Sequence, residues 1–183
     1  MQSLLAIFAL SLSTARTREK PLNILLITAD DLGYEAMDFL GGSLAKVTPN
    51  LSLLAKESLS FQRAHVNIAI CAPSRAIIAT GRYGHNSGCY GFNKLPKDIP
   101  TVFTTFQKNG YLTGILGKLN HSTCDTRFTW DFAHDYEDLG SGRSPKKYHD
   151  YTVEFLTRCK QEGKPSVSYT TPTLPHTHNR THL

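Results

Sequence analysis

The sequence predicts an α/β fold with a largely parallel β-sheet between helices. Two short apolar runs, NILLIT at 23–28 and YLTGIL at 111–116, have the length and composition of buried parallel strands. Segments with a helical spacing of apolar residues alternate with these runs, which is typical of a parallel sheet covered by helices. The chain of 183 residues is long enough for one domain with a hydrophobic core.

The first strand leads to a predicted helix that begins at Pro49, with Thr48 as its amino-terminal cap. A second helix is predicted from Pro73 to Gly81, since glycine readily adopts the left-handed conformation that ends a helix. A third is predicted from Pro100 up to Gly110, before the second strand. Apolar residues that share one face of the first helix or should face inward on the third are Leu51, Leu54, Ala55, Val102, Phe103 and Phe106. The apolar residues of the second helix are Ala76, Ile77 and Ile78.

The last predicted helix follows the second strand. Its apolar residues at helical spacing are Tyr148, Tyr151, Phe155 and Cys159.

The amino terminus has the pattern of a secretory signal peptide. Leu4–Leu12 is apolar but too short to span a bilayer, and small residues at 13–15 resemble a cleavage site. We therefore predict a signal peptide over residues 1–15 and a secreted, periplasmic or lysosomal protein. A buried first strand or helix is the alternative. No other run is apolar enough to predict a membrane helix.

Charge and cysteine content restrict the function further. The net charge of +5 is spread along the chain without a basic run rich in aromatics, so we predict no nucleic-acid partner and at most a mild preference for anions. The four cysteines, an even number, would in a secreted chain allow two disulfides in three possible pairings. They are Cys71, Cys89, Cys124 and Cys159.

Charged residues are predicted to meet at one edge of the sheet. Asp30 and Asp31 follow the first strand, Lys118 follows the second, and Cys71 and Arg75 lie at the start of a helix. Paired carboxylates favour a hard divalent cation, whereas the basic side chains and a helix amino terminus favour an anion with several oxygens. Each residue alone could be a solvated loop or strand end. Together they indicate a metal and a phosphate or sulfate ester.

Four segments of the sequence resemble type I sulfatases. CAPSR at 71–75 with TGR at 80–82 is similar to the family's signature. The segments 23–34, 48–58 and 110–118 resemble, in the same order, the aspartate-bearing strand, the next helix and the strand with the sulfate-binding lysine. Residues 117–143 are most similar to the branch of heparan N-sulfatase-like and bacterial-type arylsulfatases. The resemblance covers 22–165 and corresponds to an amino-terminal portion of the family.

The resemblance implies an alkaline-phosphatase-like α/β fold and hydrolysis of a sulfuric ester or sulfamate. It implies that a formylglycine-generating enzyme oxidises Cys71 to formylglycine, so that this cysteine is neither a thiol nor part of a disulfide. Asp30, Asp31 and the modified Cys71 would bind the metal, usually Ca²⁺. The hydrated aldehyde would supply the nucleophilic hydroxyl.

The family's remaining catalytic roles fall on three residues. Arg75 would hold the hydrate, and Lys118 would bind the sulfate oxygens and stabilise the transition state. His121 would assist at the hydrate or the leaving group and contact substrate. Its spacing from Lys118 is one residue longer than in many sulfatases, so a surface histidine is the alternative.

Two departures from the family lead to further expectations. Sulfatases are several hundred residues long and take additional metal ligands from downstream segments. Residues 166–183, rich in Thr, Pro and His, are predicted to be an atypical tail, disordered or out of frame. The sheet is therefore expected to be incomplete at its carboxyl end, and the activity impaired.

Two other functions remain open from sequence. One is a phosphate or phosphonate ester hydrolase of the same superfamily. The other is a non-catalytic secreted fragment. The predicted partner is a sulfated small molecule or glycan, without a membrane partner.

Overall fold

A parallel four-stranded sheet forms the centre of the protein. In the computed structural model, which describes residues 20–42, 47–96, 98–122 and 128–173, the strands are β1 (Ile24–Ile27), β2 (Leu112–Leu116), β3 (Phe132–His134) and β4 (Ser166–Thr170). Their order across the sheet is β1-β4-β2-β3, and all neighbours run parallel. The predicted α/β fold with a parallel sheet is confirmed.

Helices connect the strands. Two 3₁₀ turns, Tyr34–Ala36 and Asp38–Leu40, precede α1 (Pro49–Lys56). The helices α2 (Cys71–Thr80), α3 (Gly84–Ser87) and α4 (Val102–Lys108) then lead to β2. The short α5 (Leu119–Ser122) follows β2, and the long α6 (Pro145–Glu162) connects β3 to β4. The four predicted helices are present, although α2 begins at Cys71 rather than Pro73 and α4 begins at Val102, with Thr101 as its cap.

The prediction of an atypical tail from residue 166 is wrong for residues 166–173. β4 pairs with β1 on one side, from Ile24 with Val167 onward, and with β2 on the other, from Leu112 with Ser166 onward. Its serines looked too polar for a central strand, but small hydroxyl side chains fit between layers while the backbone bonds are satisfied on both sides. Residues 174–183 and the predicted signal peptide lie outside the described ranges.

The strand β1 is less buried than predicted. It lies at an edge of the sheet, and its side chains alternate between half-buried and exposed, with Leu25 62% and Ile27 59% exposed. The helix α1 likewise contains no buried residue, although Leu51, Leu54 and Ala55 were expected to face inward. Thr48 does not cap α1 with its side chain; the hydroxyl accepts a hydrogen bond from the Asp38 amide at 3.1 Å.

The core lies on both faces of the sheet. On one face Ala79 of α2 and Phe103 of α4 pack with Ile115, Val167 and Tyr169. Trp130 completes that cluster.

On the other face Phe155 and Cys159 of α6 pack against Leu112. A Cβ added at Gly114 would lie 2.8 Å from the Phe155 ring, so this glycine allows α6 to approach β2. The predicted apolar face of the last helix is therefore confirmed at Phe155 and Cys159. Both faces of the two central strands are covered.

Candidate active site

The carboxyl ends of β1, β4 and β2 bring the predicted charged residues together. Asp30 follows β1 and Lys118 follows β2, and these strands are separated by β4. Neighbouring strands are about 4.8 Å apart, so the two side chains must reach across the end of β4. They do so above Thr171, which is fully buried. Asp30 and Lys118 therefore share one edge of the sheet, as predicted.

Asp30 accepts hydrogen bonds from two cations. Its Oδ2 is 2.7 Å from Lys118 Nζ, and its Oδ1 is 3.2 Å from Arg75 Nη2. Burial alone would raise the pKa of Asp30, but the hydrogen bond and charge of Lys118, together with Arg75, outweigh it and hold the pKa below its usual value. Asp30 is therefore a buried carboxylate that stays ionised.

Arg75 is fixed by side chains that sequence reasoning did not identify. Its Nη1 donates to Tyr169 Oη at 2.8 Å, to Thr171 Oγ1 at 2.9 Å and to Thr28 Oγ1 at 3.1 Å. Tyr169 and Thr171 belong to the segment predicted to be a disordered or out-of-frame tail. Only the pairing of β4 next to β1 places them beside α2, which a pattern along the chain does not reveal.

One donor of Arg75 remains available. Among the described residues, its buried Nε has no hydrogen-bond partner. Cys71 lies four residues earlier on α2, so the two side chains share a face of the helix. Buried guanidinium donors are normally satisfied, so an acceptor bound in front of α2 would complete this site.

Cys71 is the first residue of α2. It is half-buried and is a free cysteine, as are Cys89 and Cys159. Two disulfides among the four cysteines are therefore not formed here, and Cys124 lies outside the described residues. The amino terminus of a ten-residue helix also carries partial positive charge, which favours an anion near position 71.

Two of the predicted site residues have a left-handed backbone. Asp31 has φ 58° and Lys118 has φ 54°; Gly117, just before Lys118, has φ 80°. Non-glycine residues in this region carry strain that is concentrated at functional sites. A Cβ at Gly117 would lie 2.7 Å from the Thr171 carbonyl oxygen, so this position requires glycine to let β2 end close to β4.

His121 lies on α5, which packs against α2. Its ring is in edge contact with Phe92, with 5.9 Å between ring centroids. The start of α5 is fixed by Asp135, whose Oδ1 accepts the Leu119 amide at 3.0 Å. Asp135 was not predicted, since it follows the short strand β3, which the sequence did not reveal.

Tyr148 also supports the site from α6. Its hydroxyl donates to the Thr171 carbonyl at 2.7 Å. Burial, with the negative charges of Asp135 and Asp30, raises the pKa of Tyr148 to about 12. The phenol therefore remains a neutral donor at physiological pH.

The described residues do not form a complete calcium site. Asp30 and Asp31 supply adjacent carboxylates, but both oxygens of Asp30 already bind cationic side chains. In the described ranges, no group of three or more His, Cys, Asp or Glu residues could hold a metal ion. Ca²⁺ takes about six to eight oxygens. Among the described residues, the predicted ligands Asp30, Asp31 and Cys71 are therefore not brought together as a metal-binding group, and the two carboxylates are insufficient alone.

The chain belongs to the sulfatase family. The family model named Sulfatase matches residues 22–179. The match continues beyond residue 165, where the sequence analysis ended the resemblance, so that boundary was wrong. Within the described residues, no helix is both long and apolar enough to cross a membrane.

Curated relatives include the human N-sulphoglucosamine sulphohydrolase, 33% identical over 92% of this chain and 34% of its own length. Bovine arylsulfatase A is 40% identical over 60% of this chain and 23% of its own length. The chain thus spans about a third or less of the length of these relatives.

Solved structures show the same fold. One is a protein in complex with its substrate D-glucosamine-2-N,6-O-disulfate, with a TM-score of 0.70, 23% identity and coverage of 85% of this chain and 35% of that one. The phosphonate monoester hydrolase of Agrobacterium radiobacter has a TM-score of 0.64 and 19% identity over 85% of this chain and 41% of that one. A protein in the alkaline phosphatase superfamily from Vibrio parahaemolyticus has a TM-score of 0.64 and 19% identity over 87% of this chain and 41% of that one. These likenesses confirm the alkaline-phosphatase-like fold class.

Proposed function

We propose that this protein hydrolyses a sulfate ester or sulfamate with a nucleophile derived from Cys71. The observation that carries the proposal is the ion cluster in which Lys118 and Arg75 flank Asp30, beside the helix that Cys71 begins. Membership of the sulfatase family supports the reaction type.

The two cationic side chains, Lys118 and Arg75, have different roles. Lys118 is the more accessible, with its side chain 23% exposed against 6% for Arg75, so it can bind the oxygens of an incoming anion. Arg75 is held by four side chains and keeps its Nε for an oxygen at position 71. Asp30 offsets part of the two positive charges, which prevents their mutual repulsion in a buried site.

Oxidation of Cys71 to formylglycine would supply a hydrated aldehyde, in which one hydroxyl can attack sulfur and displace the alcohol or amine, and the other can then expel sulfate as the aldehyde forms again. The half-buried position of Cys71 at a helix amino terminus is compatible with this modification. We assign oxidation to a formylglycine-generating enzyme, and secretion through residues 1–15 would bring the chain to it. His121 is assigned to the leaving-group side.

A divalent metal, Ca²⁺ by family resemblance, is assigned to Asp30, Asp31 and position 71. Because two carboxylates are too few ligands for Ca²⁺, we expect weak binding of the metal. The strand β4 occupies the place after Pro165 where the sheet was expected to stop, so this expectation is not a reason for weak binding.

The substrate class proposed is a sulfated glucosamine unit, free or in a glycan. The name of the human relative, N-sulphoglucosamine sulphohydrolase, supports an N-sulfated sugar. A small anion fits the modest positive charge of the chain.

The test uses the full chain produced in cells with an active formylglycine-generating enzyme. We expect the Cys71 peptide to be lighter in mass than the thiol form, as required when CH₂SH becomes CHO. The oxidised protein should release sulfate from an aryl sulfate slowly, and Cys71→Ser should abolish release. The control Cys89→Ser changes another free cysteine of the chain. Finding only the thiol at position 71, or equal turnover by Cys71→Ser, would contradict the proposal.

A further inference from the structure

Three exposed aromatic side chains follow the helix that begins with Cys71. Tyr83, Tyr90 and Phe92 are 60%, 69% and 70% exposed, and all lie within ten residues of one another in the sequence. Large aromatics so close together are seldom left in water unless they bind something. None of them belongs to the ion cluster of the candidate active site.

Phe92 connects this aromatic group to the active site. Its ring is in edge contact with the His121 ring, at 5.9 Å between centroids and an interplanar angle of 69°. The backbone of Tyr90 passes close to Gly84, which follows Tyr83, because a Cβ at Gly84 would be 3.6 Å from Tyr90 Cα. Phe92 therefore lies beside His121, and Tyr83 and Tyr90 lie on the same folded segment.

The segment that carries them is anchored in the core. Cys89, next to Tyr90, is fully buried with Ala76 of α2 and with Leu95. Its amide donates to Ser87 Oγ at 3.3 Å, and its thiol to the Asn93 carbonyl at 3.2 Å. The rings are thus exposed on a segment whose backbone is fixed, as expected of a binding surface that is formed in advance.

We propose that Phe92, together with Tyr90 and Tyr83, forms a subsite for the hexose ring that carries the sulfate group. This inference rests on the proposed function and specifies its substrate. A pyranose has one face of C–H groups, which packs on the electron-rich face of an aromatic ring, while its hydroxyls remain in water. Lys118 and Arg75 take the anionic group, and the aromatics take the apolar face beside it.

Polar residues on the same segment favour a sugar over an apolar partner. His85, Asn86 and Lys94 are exposed, and the His85 ring stacks on the Tyr83 ring with 5.8 Å between centroids. Their donors and acceptors can meet the hydroxyl groups of a hexose. A flat apolar protein partner would leave these groups without hydrogen bonds, at a cost in binding free energy.

The experiment compares two anions on the full chain by calorimetry: N-sulfoglucosamine and ethyl sulfate, which has the sulfate but no ring. Phe92→Ala should raise the dissociation constant for the sugar sulfate about three- to tenfold and leave that for ethyl sulfate unchanged. Tyr90→Ala should have the same direction of effect. The matched control is Phe61→Ala, which removes a ring that is 74% exposed and lines a groove against α1.

The outcomes separate this inference from the proposed function. Binding of both anions with equal affinity by the wild type, or an equal effect of Phe92→Ala on both, would overturn the subsite and leave sulfate binding standing. Failure of the wild type to bind either anion would overturn both proposals. If Phe92→Ala changed only self-association measured by sedimentation, the aromatics would be a protein contact and the inference wrong.

Discussion

Lys118 and Asp30 form an ion pair of 2.7 Å across the end of a strand that lies between their own strands. The pair has a direct consequence for metal binding, because the lysine occupies the carboxylate oxygen that a cation would use. Removing the lysine should therefore affect cations and anions in opposite directions.

Lys118→Met should weaken the binding of sulfate and strengthen the binding of Ca²⁺. The methionine keeps an unbranched side chain of similar length but no longer competes for Asp30. Calorimetric titration with each ion measures both effects. Lys108→Met, at an exposed lysine outside the ion cluster and the proposed sugar subsite, is the control and should change neither affinity strongly. Weaker Ca²⁺ binding in Lys118→Met would contradict the proposed competition.

Arg75→Lys should destabilise the protein although it conserves the charge. A lysine cannot reach Asp30, Thr28, Tyr169 and Thr171 together, since only the planar guanidinium presents donors in several directions. We expect the free energy of unfolding, from urea denaturation, to fall by about 1–3 kcal/mol. Arg82→Lys, at an exposed arginine just after α2, should change it little. Equal effects of the two variants would mean that the hydrogen bonds of Arg75 do not stabilise the fold.

Asp30 should make the stability depend on pH in the acid range. Its pKa lies below the usual 3.8, so its ionised form stabilises the folded state above that pH. The contribution is lost as the pH falls through the lower pKa of the folded state. Urea denaturation of Asp30→Asn should show a lower stability at neutral pH and a shallower decrease on acidification. The exposed Asp98→Asn should keep the steep decrease. A parallel pH profile for Asp30→Asn would show that other groups are responsible.

Tyr148 should ionise at a higher pH than an ordinary tyrosine. Its pKa of about 12 results from burial first and from Asp135 and Asp30 second. Because the neutral form is favoured, its stabilisation is complete below about pH 10 and is lost as the pH rises toward 12. Ultraviolet absorbance titration of Tyr148→Phe should lack this last step, whereas Tyr83→Phe should retain it. Its persistence in Tyr148→Phe would assign the step to another tyrosine.

Alanine substitutions at two glycines distinguish the free-energy cost of a left-handed backbone from that of a close contact. Gly110 has φ 85° and open space around the position of the new methyl group, so we expect Gly110→Ala to destabilise the protein by about 1–2 kcal/mol. Gly117 has φ 80°, and its new methyl group would in addition lie 2.7 Å from the Thr171 carbonyl oxygen. We therefore expect Gly117→Ala to lower the free energy of unfolding by about 2–5 kcal/mol. Thermal and urea unfolding measure both. Equal losses would mean that the carbonyl moves away without cost.

Local patterns predicted much of the fold. The apolar runs at 23–28 and 111–116 became β1 and β2, and Gly81, with φ 63°, ends α2 as expected. These features are predictable because a strand's composition and a glycine's conformational freedom act over a few residues. The charged residues after the strands could be assigned to one edge, since parallel strands place their carboxyl ends together.

The order of the strands was not contained in any local pattern. SVSYT at 166–170 looked like a polar tail, whereas its insertion between β1 and β2 buries it. The same insertion moves β1 to the edge and leaves Leu25 and Ile27 exposed, although an apolar run had predicted a fully buried strand.

The sequence by itself predicted which residues would form the candidate site: Cys71, Arg75, Lys118 and the pair Asp30 and Asp31. Only the tertiary structure decided what surrounds them. Tyr169 and Thr171 hold Arg75 because β4 lies beside β1, with more than 90 positions between these residues and Arg75. Such contacts form between segments that are far apart in the sequence, through buried hydrogen bonds and apolar packing. A short stretch of sequence therefore does not reveal which distant segment it will contact.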